Sequence, residues 1–374
     1  MIALLIFIII LSVLVLVHEF GHFYAARKNN VQVEEFGYGL PPKIWGKKFG
    51  DTEYTINLLP FGGFVRITGE EDLEESSDPN NFMSKSPVRR LSILLAGIFM
   101  NVALAIFLYY VFFFVTGFKS LALPVFFDHS FKYGRTEQIN TVVTDFLEGS
   151  AAESSGLSSG EAIIEIDNTP VYSVADMRGA LEDKANVPVK LLVMDIRRLS
   201  RPTRVVEITP QANEDGAGFL GTVLNSAIVL DYSDNKLTAG FSHSYNVMSY
   251  TFSTLKSLVG VSYEEKSIEP VSGSVSGPVG IFSVVDSILR FSGKEAILGL
   301  IDLTALLSLS LAIINLMPFP ALDGGRVLFV LIEMLRGGKR VSAKVETAMH
   351  KWGILILLAL MVLVTFRDVK NLLG

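Results

Sequence analysis

The chain of 374 residues contains no cysteine and only five histidines. Without cysteine there are no disulfides and no thiolate ligands, so any metal site must use histidine, aspartate or glutamate side chains. Basic residues are outnumbered by acidic ones: the chain has 32 lysines and arginines and 38 aspartates and glutamates, which gives a net charge of −6. No region is basic enough to indicate nucleic acid binding, and we expect no such partner.

Half of the residues are hydrophobic and the mean hydropathy is +0.44, which argues against a soluble protein. A helix that crosses a bilayer core needs about 20 apolar residues, so the long apolar runs are the sharper signal. The first run lacks the basic start and the cleavage site of a signal peptide, and we expect it to be retained. We predict four spans, at about 3–26, 91–116, 296–317 and 352–367.

Basic residues in the loops predict the orientation of these spans. Arg27 and Lys28 follow the first span, Arg89 and Arg90 precede the second, and six lysines or arginines lie between 326 and 351. These flanks are expected on the cytoplasmic side. The N-terminus, residues 118–290 and the C-terminus are then expected outside.

The loop between the first two spans contains the segment Leu59–Val65, which alternates apolar and small residues around a glycine pair. This pattern favours a β-hairpin in a cytoplasmic loop. The alternative is a strand that reaches membrane level beside a functional site. Both interpretations stay open on the pattern itself.

Residues 136–212 are typical of a small α/β domain, with strands predicted at 139–143, 162–166, 189–193 and 204–208 and a helix at 174–182. The residues Gly149-Ser-Ala-Ala, Gly156-Leu and Gly160 resemble the pattern of a bacterial PDZ domain. Ser150, Glu161 and Asn168 depart from that pattern, and an unrelated α/β domain is the alternative. Residues 237–260 predict an amphipathic, interfacial helix. Residues 271–281 predict a flexible, turned linker.

The motif His18-Glu19-Phe20-Gly21-His22 continues the first apolar run. Positions i and i+4 share a helix face, so the two imidazoles can converge on one metal ion. Glu19 lies about 100° around the helix, within reach of a water molecule at that ion. Ionisable groups at membrane depth cost several kcal/mol unless they are paired or ligated. The alternative is that both histidines lie in interfacial water just beyond the span.

A third ligand is predicted in the segment Asn315–Gly325, which follows the third span directly. Two prolines break the helix there, and Gly324 and Gly325 let the backbone turn beside Asp323. An acidic residue at this depth indicates a functional site. The alternative is that Asp323 caps the helix that follows. His129, His243 and His350 are interpreted as ordinary surface or interfacial residues.

These two motifs together resemble the site-2 protease family, and most of all its bacterial regulator-of-sigma-E type. The resemblance spans the chain, including Gly277-Pro-Val-Gly-Ile before the third span. It implies a Zn²⁺ ion held by His18, His22 and Asp323, with Glu19 as general base. It also implies a bacterial cytoplasmic (inner) membrane protein.

The same resemblance implies which residues contact substrate. Phe61, Gly62 and Gly63 match a membrane-level loop that approaches the substrate, and Asn315 would orient the substrate in the active site. Ile98 stands where family members often have proline. One PDZ domain fits this chain, whereas several members carry two.

The predicted fold is therefore a polytopic α-helical membrane protein with four transmembrane helices, an inserted extracytoplasmic PDZ-like α/β domain and a membrane-associated β-hairpin. The predicted segments are 1–28 (span one), 29–90 (cytoplasmic β loop), 91–117 (span two), 118–212 (PDZ-like domain), 213–295 (amphipathic helix and linker), 296–325 (span three), 326–351 (cytoplasmic segment) and 352–370 (span four).

The predicted function is intramembrane zinc endopeptidase activity on single-span membrane proteins in regulated intramembrane proteolysis. Expected substrates are of the anti-sigma-factor or signal-peptide-remnant type, shortened first by another protease, and the lipid bilayer is the other partner. A catalytically inactive PDZ-bearing receptor or scaffold is the main alternative. A zinc transporter is a weaker one, because its polar groups would be distributed along several spans.

Overall fold

The computed structural model describes residues 1–70, 76–198, 200–291 and 293–373. In chain order its helices and strands are α1 (Ile2–Lys28), β1 (Val33–Phe49), β2 (Thr52–Ile67), α2 (Pro87–Thr116), β3 (Leu123–Val125), β4 (Arg135–Phe146), α3 (Ala151–Ser154), β5 (Glu161–Ile166), β6 (Thr169–Pro170), α4 (Val174–Leu181), β7 (Val189–Asp195), β8 (Thr203–Ile208), β9 (Gln211–Ala212), β10 (Gly218–Phe219), β11 (Thr222–Asp231), α5 (Ala239–Glu264), α6 (Glu269–Gly273), α7 (Pro278–Leu289), α8 (Lys294–Leu316), α9 (Asp323–Leu335) and α10 (Ala343–Leu373).

The chain forms two compact units. The first comprises Met1–Tyr109 and Leu258–Gly374, and the second comprises Tyr110–Ser257. The second unit is thus an insertion between the second and third predicted spans, as the sequence indicates.

Within the described part of the chain, four helices are long and apolar enough to cross a membrane: α1, α2, α8 and the Ala343–Lys370 part of α10. This confirms the predicted multi-pass architecture. Helix α10 begins at Ala343, before the predicted start of span four at 352, so its first turns carry the polar residues that precede the apolar run. The predicted cytoplasmic segment 326–351 consequently contains most of α9 and the first turns of α10.

The first unit buries an apolar cluster built on α1. Phe7, Ile10 and Leu14 of α1 pack against Val285 of α7, with leucines of α8 beside them. The predicted turned linker at 271–281 is confined to residues 274–277, since α6 covers its start and α7 begins at Pro278. Proline fits the first position of a helix because its missing N–H would have no partner there.

Strands β1 and β2 are long, bent and antiparallel. The tight turn between them lies at Gly50, where φ is +62°, and the Gly62-Gly63 pair lies inside β2. The loop thus contains the predicted β-hairpin, formed by β1 and β2 with its turn at Gly50. Residues 35–38 pair with 63–66 on one side and with 53–56 on the other, so the two strands form four antiparallel segments. Among the described residues, segment 63–66 is paired on one side only, which makes it an edge strand.

The described residues of the second unit form a seven-stranded sheet in the order β3-β11-β4-β5-β7-β8, with β6 paired to β5. The four strands and the helix predicted for residues 136–212 are confirmed as β4, β5, β7, β8 and α4. The sheet extends beyond the predicted limit at 212, because β11 pairs with both β3 and β4. Helix α5 matches the amphipathic pattern at 237–260.

Candidate metal centre

Helix α1 carries His18 and His22 one turn apart, and both side chains are buried. Their Nε2 atoms lie 3.1 Å apart, and their rings meet edge to face. Gly21 lies on the α2 side of this turn, where an added Cβ would come within 2.4 Å of the Ala96 carbonyl oxygen. Glycine at this position therefore allows α1 and α2 to approach closely enough to enclose the two imidazoles.

Asp323 reaches the same point from the other end of the sequence. Its Oδ2 lies 3.0 Å from His18 Nε2 and 3.3 Å from His22 Nε2. Asp323 is the first residue of α9, and the N-cap position is Leu322. The alternative role of Asp323 as a helix cap does not agree with this geometry, because its carboxylate points towards the imidazoles.

The glycines after Asp323 act differently from the sequence prediction. The left-handed backbone is at Ala321, with φ at +83°, whereas neither Gly324 nor Gly325 has a positive φ. An added Cβ at Gly324 would come within 2.2 Å of the Met317 carbonyl oxygen, and one at Gly325 within 2.4 Å of the Phe319 carbonyl oxygen. The two glycines thus let the first turn of α9 pack directly on the loop that precedes it.

The three facing atoms fit a metal ion. A tetrahedral ion bound at 2.0–2.1 Å holds its ligand atoms about 3.3 Å apart, close to the three distances found here. His22 Nδ1 lies 2.9 Å from the Ile93 carbonyl oxygen and donates to it, so in the neutral ring the Nε2 atom presents a lone pair to the centre. Among the described residues, Asp323 Oδ2 is buried and accepts no well-angled hydrogen bond. Lone pairs and a carboxylate that face one point repel each other unless a cation lies between them.

Two residues of α2 complete this centre, and their role was not predicted from the sequence. Asn101 is fully buried, and its Nδ2 lies 3.3 Å from His18 Nδ1. If His18 Nε2 faces a metal, its Nδ1 carries the proton, and the Asn101 amide turned by 180° would place Oδ1 there to accept it. An added Cβ at Gly97 would come within 2.4 Å of His22 Nε2. A polar residue in an apolar span, four residues after a glycine, is the signal that could have identified this pair.

A cavity of about 270 Å³ opens beside the centre. Arg326 and Glu70, which form an ion pair, contribute to its wall, and so does the edge segment of β2. The described residues that line it are His18, Glu19, His22, Phe64, Val65, Arg66, Ile67, Glu70, Ala321, Leu322, Asp323, Arg326, His350 and Ile354. Glu19 therefore shares one cavity with the three facing side chains.

The predicted substrate-binding residues differ in their distance from the metal centre. An added Cβ at Gly63 would lie 3.8 Å from Glu19 Cγ, so β2 passes directly beside Glu19. Gly62 has φ at +80°, a backbone conformation that favours glycine, and the side chain of Phe61 lies outside the described part of the chain. Asn315 is half-buried in the last turn of α8 and is not among the described residues that line the cavity.

Fold and site together define a multi-pass membrane protein with a buried centre of two histidines and one aspartate. Comparison with known proteins gives the family: residues 6–360 match peptidase family M50, and the chain belongs to this site-2 protease family.

Relatives match over almost the whole chain. A Clostridium perfringens protein named as a zinc metalloprotease, CPE1693, is 34% identical over 364 residues, which are 96% of each chain. Zinc metalloprotease RasP of Shouchella clausii is 28% identical over 443 residues, with 99% of each chain covered. Membrane metalloprotease ARASP of Arabidopsis thaliana is 30% identical over 372 residues, covering 98% of this chain and 78% of the relative.

The predicted family, enzyme class and cofactor are confirmed. The protein is a membrane-embedded zinc metalloprotease, and a protease of this kind is expected to act on membrane protein substrates.

Proposed function

We propose that this enzyme hydrolyses peptide bonds inside the transmembrane segments of single-span membrane proteins. His18, His22 and Asp323 would hold the zinc ion, and Glu19 would act as general base. The observation that carries the proposal is the position of Asp323 Oδ2, 3.0 and 3.3 Å from the Nε2 atoms of His18 and His22. Both histidines belong to the apolar helix α1. A scaffold protein would need none of these buried groups.

A bound zinc ion supplies a Lewis acid that activates water and polarises a carbonyl group. Glu19, in the wall of the same cavity, is positioned to take a proton from the attacking water and to return it to the leaving amine. Water thereby adds across the C–N bond, giving one carboxylate and one amine. His22, oriented by its hydrogen bond to the Ile93 carbonyl, and His18, beside Asn101, keep their Nε2 atoms directed at the centre.

A helical substrate hides its carbonyl groups in hydrogen bonds and must unwind before cleavage. The edge segment of β2 lines the cavity with Phe64–Ile67, and Gly63 lies beside Glu19. An extended substrate could pair with this edge as an added strand, which would present its backbone to Glu19. We propose that Phe61, Gly62 and Gly63 form the start of this binding strand and that Asn315 contacts the substrate beyond it.

The remaining parts of the chain suit regulated intramembrane proteolysis at a bacterial cytoplasmic membrane. We assign residues 29–90 and 326–351 to the cytoplasmic side, because basic residues flank them. The inserted unit is assigned to the outside as a PDZ-like domain, with α4 beside its sheet. It would admit substrates that another protease has already shortened, such as anti-sigma factors or signal-peptide remnants.

The test is cleavage of a reconstituted single-span helix by the wild type and by Glu19→Gln, with zinc content measured on the same samples. Glu19→Gln should keep about one zinc per chain and lose roughly 10²–10⁴-fold in cleavage rate, the usual contribution of a general base. Glu148→Gln, an exposed glutamate of the second unit, is the matched control and should cleave normally.

Full activity of Glu19→Gln would overturn the general-base role. Undiminished zinc binding by Asp323→Ala would overturn the ligand set. If the zinc-loaded wild type cleaves no single-span helix at all, the scaffold alternative replaces this proposal.

A further inference from the structure

We propose that His350 is a positioning residue for the metal centre, because it holds the loop that presents the Asp323 carboxylate. The inference rests on the proposed role of Asp323 as a zinc ligand. His350 belongs to α10, and the sequence analysis interpreted it as an ordinary interfacial residue.

The loop between α8 and α9 runs from Met317 to Leu322 and contains two prolines. Ala321, two residues before Asp323, has φ at +83°, a conformation that side chains other than glycine rarely adopt. Such a backbone persists only where its surroundings hold it in place. The loop therefore needs external contacts to keep Asp323 at the centre.

Helix α10 supplies two of these contacts. The Ala321 N–H donates to His350 Nδ1 at 3.0 Å. One turn further on, an added Cβ at Gly353 would come within 2.2 Å of the Pro320 carbonyl oxygen, so α10 packs directly on the loop backbone. Helix α10 is otherwise loosely packed. Only 11% of its 18-residue apolar stretch is buried, against 33% of the corresponding stretch in each of α1, α2 and α8.

The hydrogen bond fixes the state of the imidazole. A backbone N–H can only donate, so Nδ1 of His350 is the acceptor and a neutral ring carries its proton on Nε2. That Nε2 is buried and has no hydrogen-bond partner among the described residues, the Glu346 Oε1 being 4.0 Å away. The hydrogen bond between His350 Nδ1 and the Ala321 N–H is therefore the polar contact that accounts for a histidine at this position.

Movement of this loop would displace the Asp323 carboxylate, the proposed zinc ligand. Two peptide units separate Ala321 from Asp323, whose Oδ2 must stay near 3 Å from both imidazoles. Ligand groups need placement within about 0.5 Å of their productive geometry. Loss of the His350 hydrogen bond should therefore weaken zinc binding even though His350 does not itself contact the metal.

The experiment measures zinc affinity of the purified full chain by competition with a chelator. His350→Leu and His350→Gln should bind zinc roughly 10–100-fold more weakly, the usual effect of losing an outer-shell partner. His350→Asn should restore most of the affinity, because its Oδ1 can occupy the place of Nδ1, whereas the glutamine oxygen lies one bond further out. Lys351→Gln, at the exposed neighbouring position, is the control.

A second variant tests the loop without altering a polar group. Gly353→Ala adds one methyl group against the Pro320 carbonyl and should also weaken zinc binding. Its matched control is Gly260→Ala in α5, where an added Cβ meets nothing within 4 Å.

Each outcome separates this inference from the proposed function. If Asp323→Ala loses zinc while His350→Leu and Gly353→Ala bind it like the wild type, the positioning role is wrong and the ligand set stands. If His350→Asn is as weak as His350→Leu in protein of unchanged helicity, the acceptor role is wrong. If Asp323→Ala retains zinc, the proposed ligand set itself fails.

Discussion

Each unit of the molecule buries histidine, and the two sites differ in what the imidazole faces. In the second unit, Asn246 Nδ2 donates to the Tyr232 hydroxyl at 2.9 Å, and that hydroxyl forms a hydrogen bond with His243 Nδ1 at 3.1 Å. In the first unit, His18 and His22 direct Nε2 atoms at each other and at a carboxylate. A buried histidine with a hydrogen-bond partner in the protein stabilises a fold, whereas two imidazoles that face a carboxylate at one point indicate a cation site.

The largest expected difference in zinc affinity comes from substituting one residue in each of the two histidine sites. Asp323→Ala should lower zinc affinity by more than the roughly 10–100-fold seen for outer-shell partners, because it removes a direct ligand. His243→Phe should leave zinc binding unchanged and destabilise the second unit by about 1–3 kcal/mol, because the buried Tyr232 hydroxyl loses a hydrogen-bond partner. Zinc content and hydrogen exchange of β11 and α5 measure the two effects. Loss of zinc in both variants would remove the distinction.

A glycine substitution sharpens the comparison by crowding one site only. Gly97→Ala would place a Cβ 2.4 Å from His22 Nε2, so it should displace the imidazole and reduce both zinc content and cleavage. Gly179→Ala in α4 meets nothing within 4 Å and should stabilise that helix by about 0.5–1 kcal/mol. Equal zinc binding by Gly97→Ala and the wild type would mean that α2 does not enclose the centre.

Asn101 offers a smaller change at the first site. Asn101→Leu keeps a similar volume but removes the amide beside His18 Nδ1, so zinc affinity should fall roughly 10–100-fold. Asn101→Gln tests whether an amide one bond further out suffices. The prediction is contradicted if Asn101→Leu binds zinc as tightly as the wild type in a chelator competition.

The last prediction concerns pH and the second site. Burial lowers the pKa of His243 to about 3, below its ordinary value near 6.5. Below pH 6.5 only the unfolded chain gains the proton, so stability should fall with pH by up to about 1.4 kcal/mol per unit. Above pH 6.5 this residue contributes no pH dependence. Hydrogen exchange of α5 at pH 7.5 and 5.0, in the wild type and His243→Gln, measures the slope, which the variant should reduce.

Much of the architecture followed from local signals. The four apolar runs predicted the spans, since the length of an apolar helix is a property of one segment. The spacing of His18 and His22 fixed their common face. The alternating strands of the inserted unit were found for the same reason, with boundaries close to those of β4, β5, β7 and β8.

What the sequence could not supply depends on contacts between distant segments. The pairing of β11 with β4, and the edge position of segment 63–66, are set by tertiary register. Gly97, Gly324 and Gly353 look like ordinary glycines until the backbone that each one faces is known. Asn101 and His350 act on ligands far away in the chain. Asp323 was predicted as a ligand from its motif and its position directly after the third apolar run. Its distance from the two imidazoles became known only from the fold.

The most direct test of the central claim is zinc X-ray absorption spectroscopy of the purified Glu19→Gln protein, which should keep its metal without turnover. We expect two imidazole nitrogens at 2.0–2.1 Å together with carboxylate oxygen. The same spectrum from His22→Ala should lose one imidazole contribution or all of the zinc. A wild-type-like spectrum from His22→Ala, or one without imidazole in the parent protein, would contradict the account.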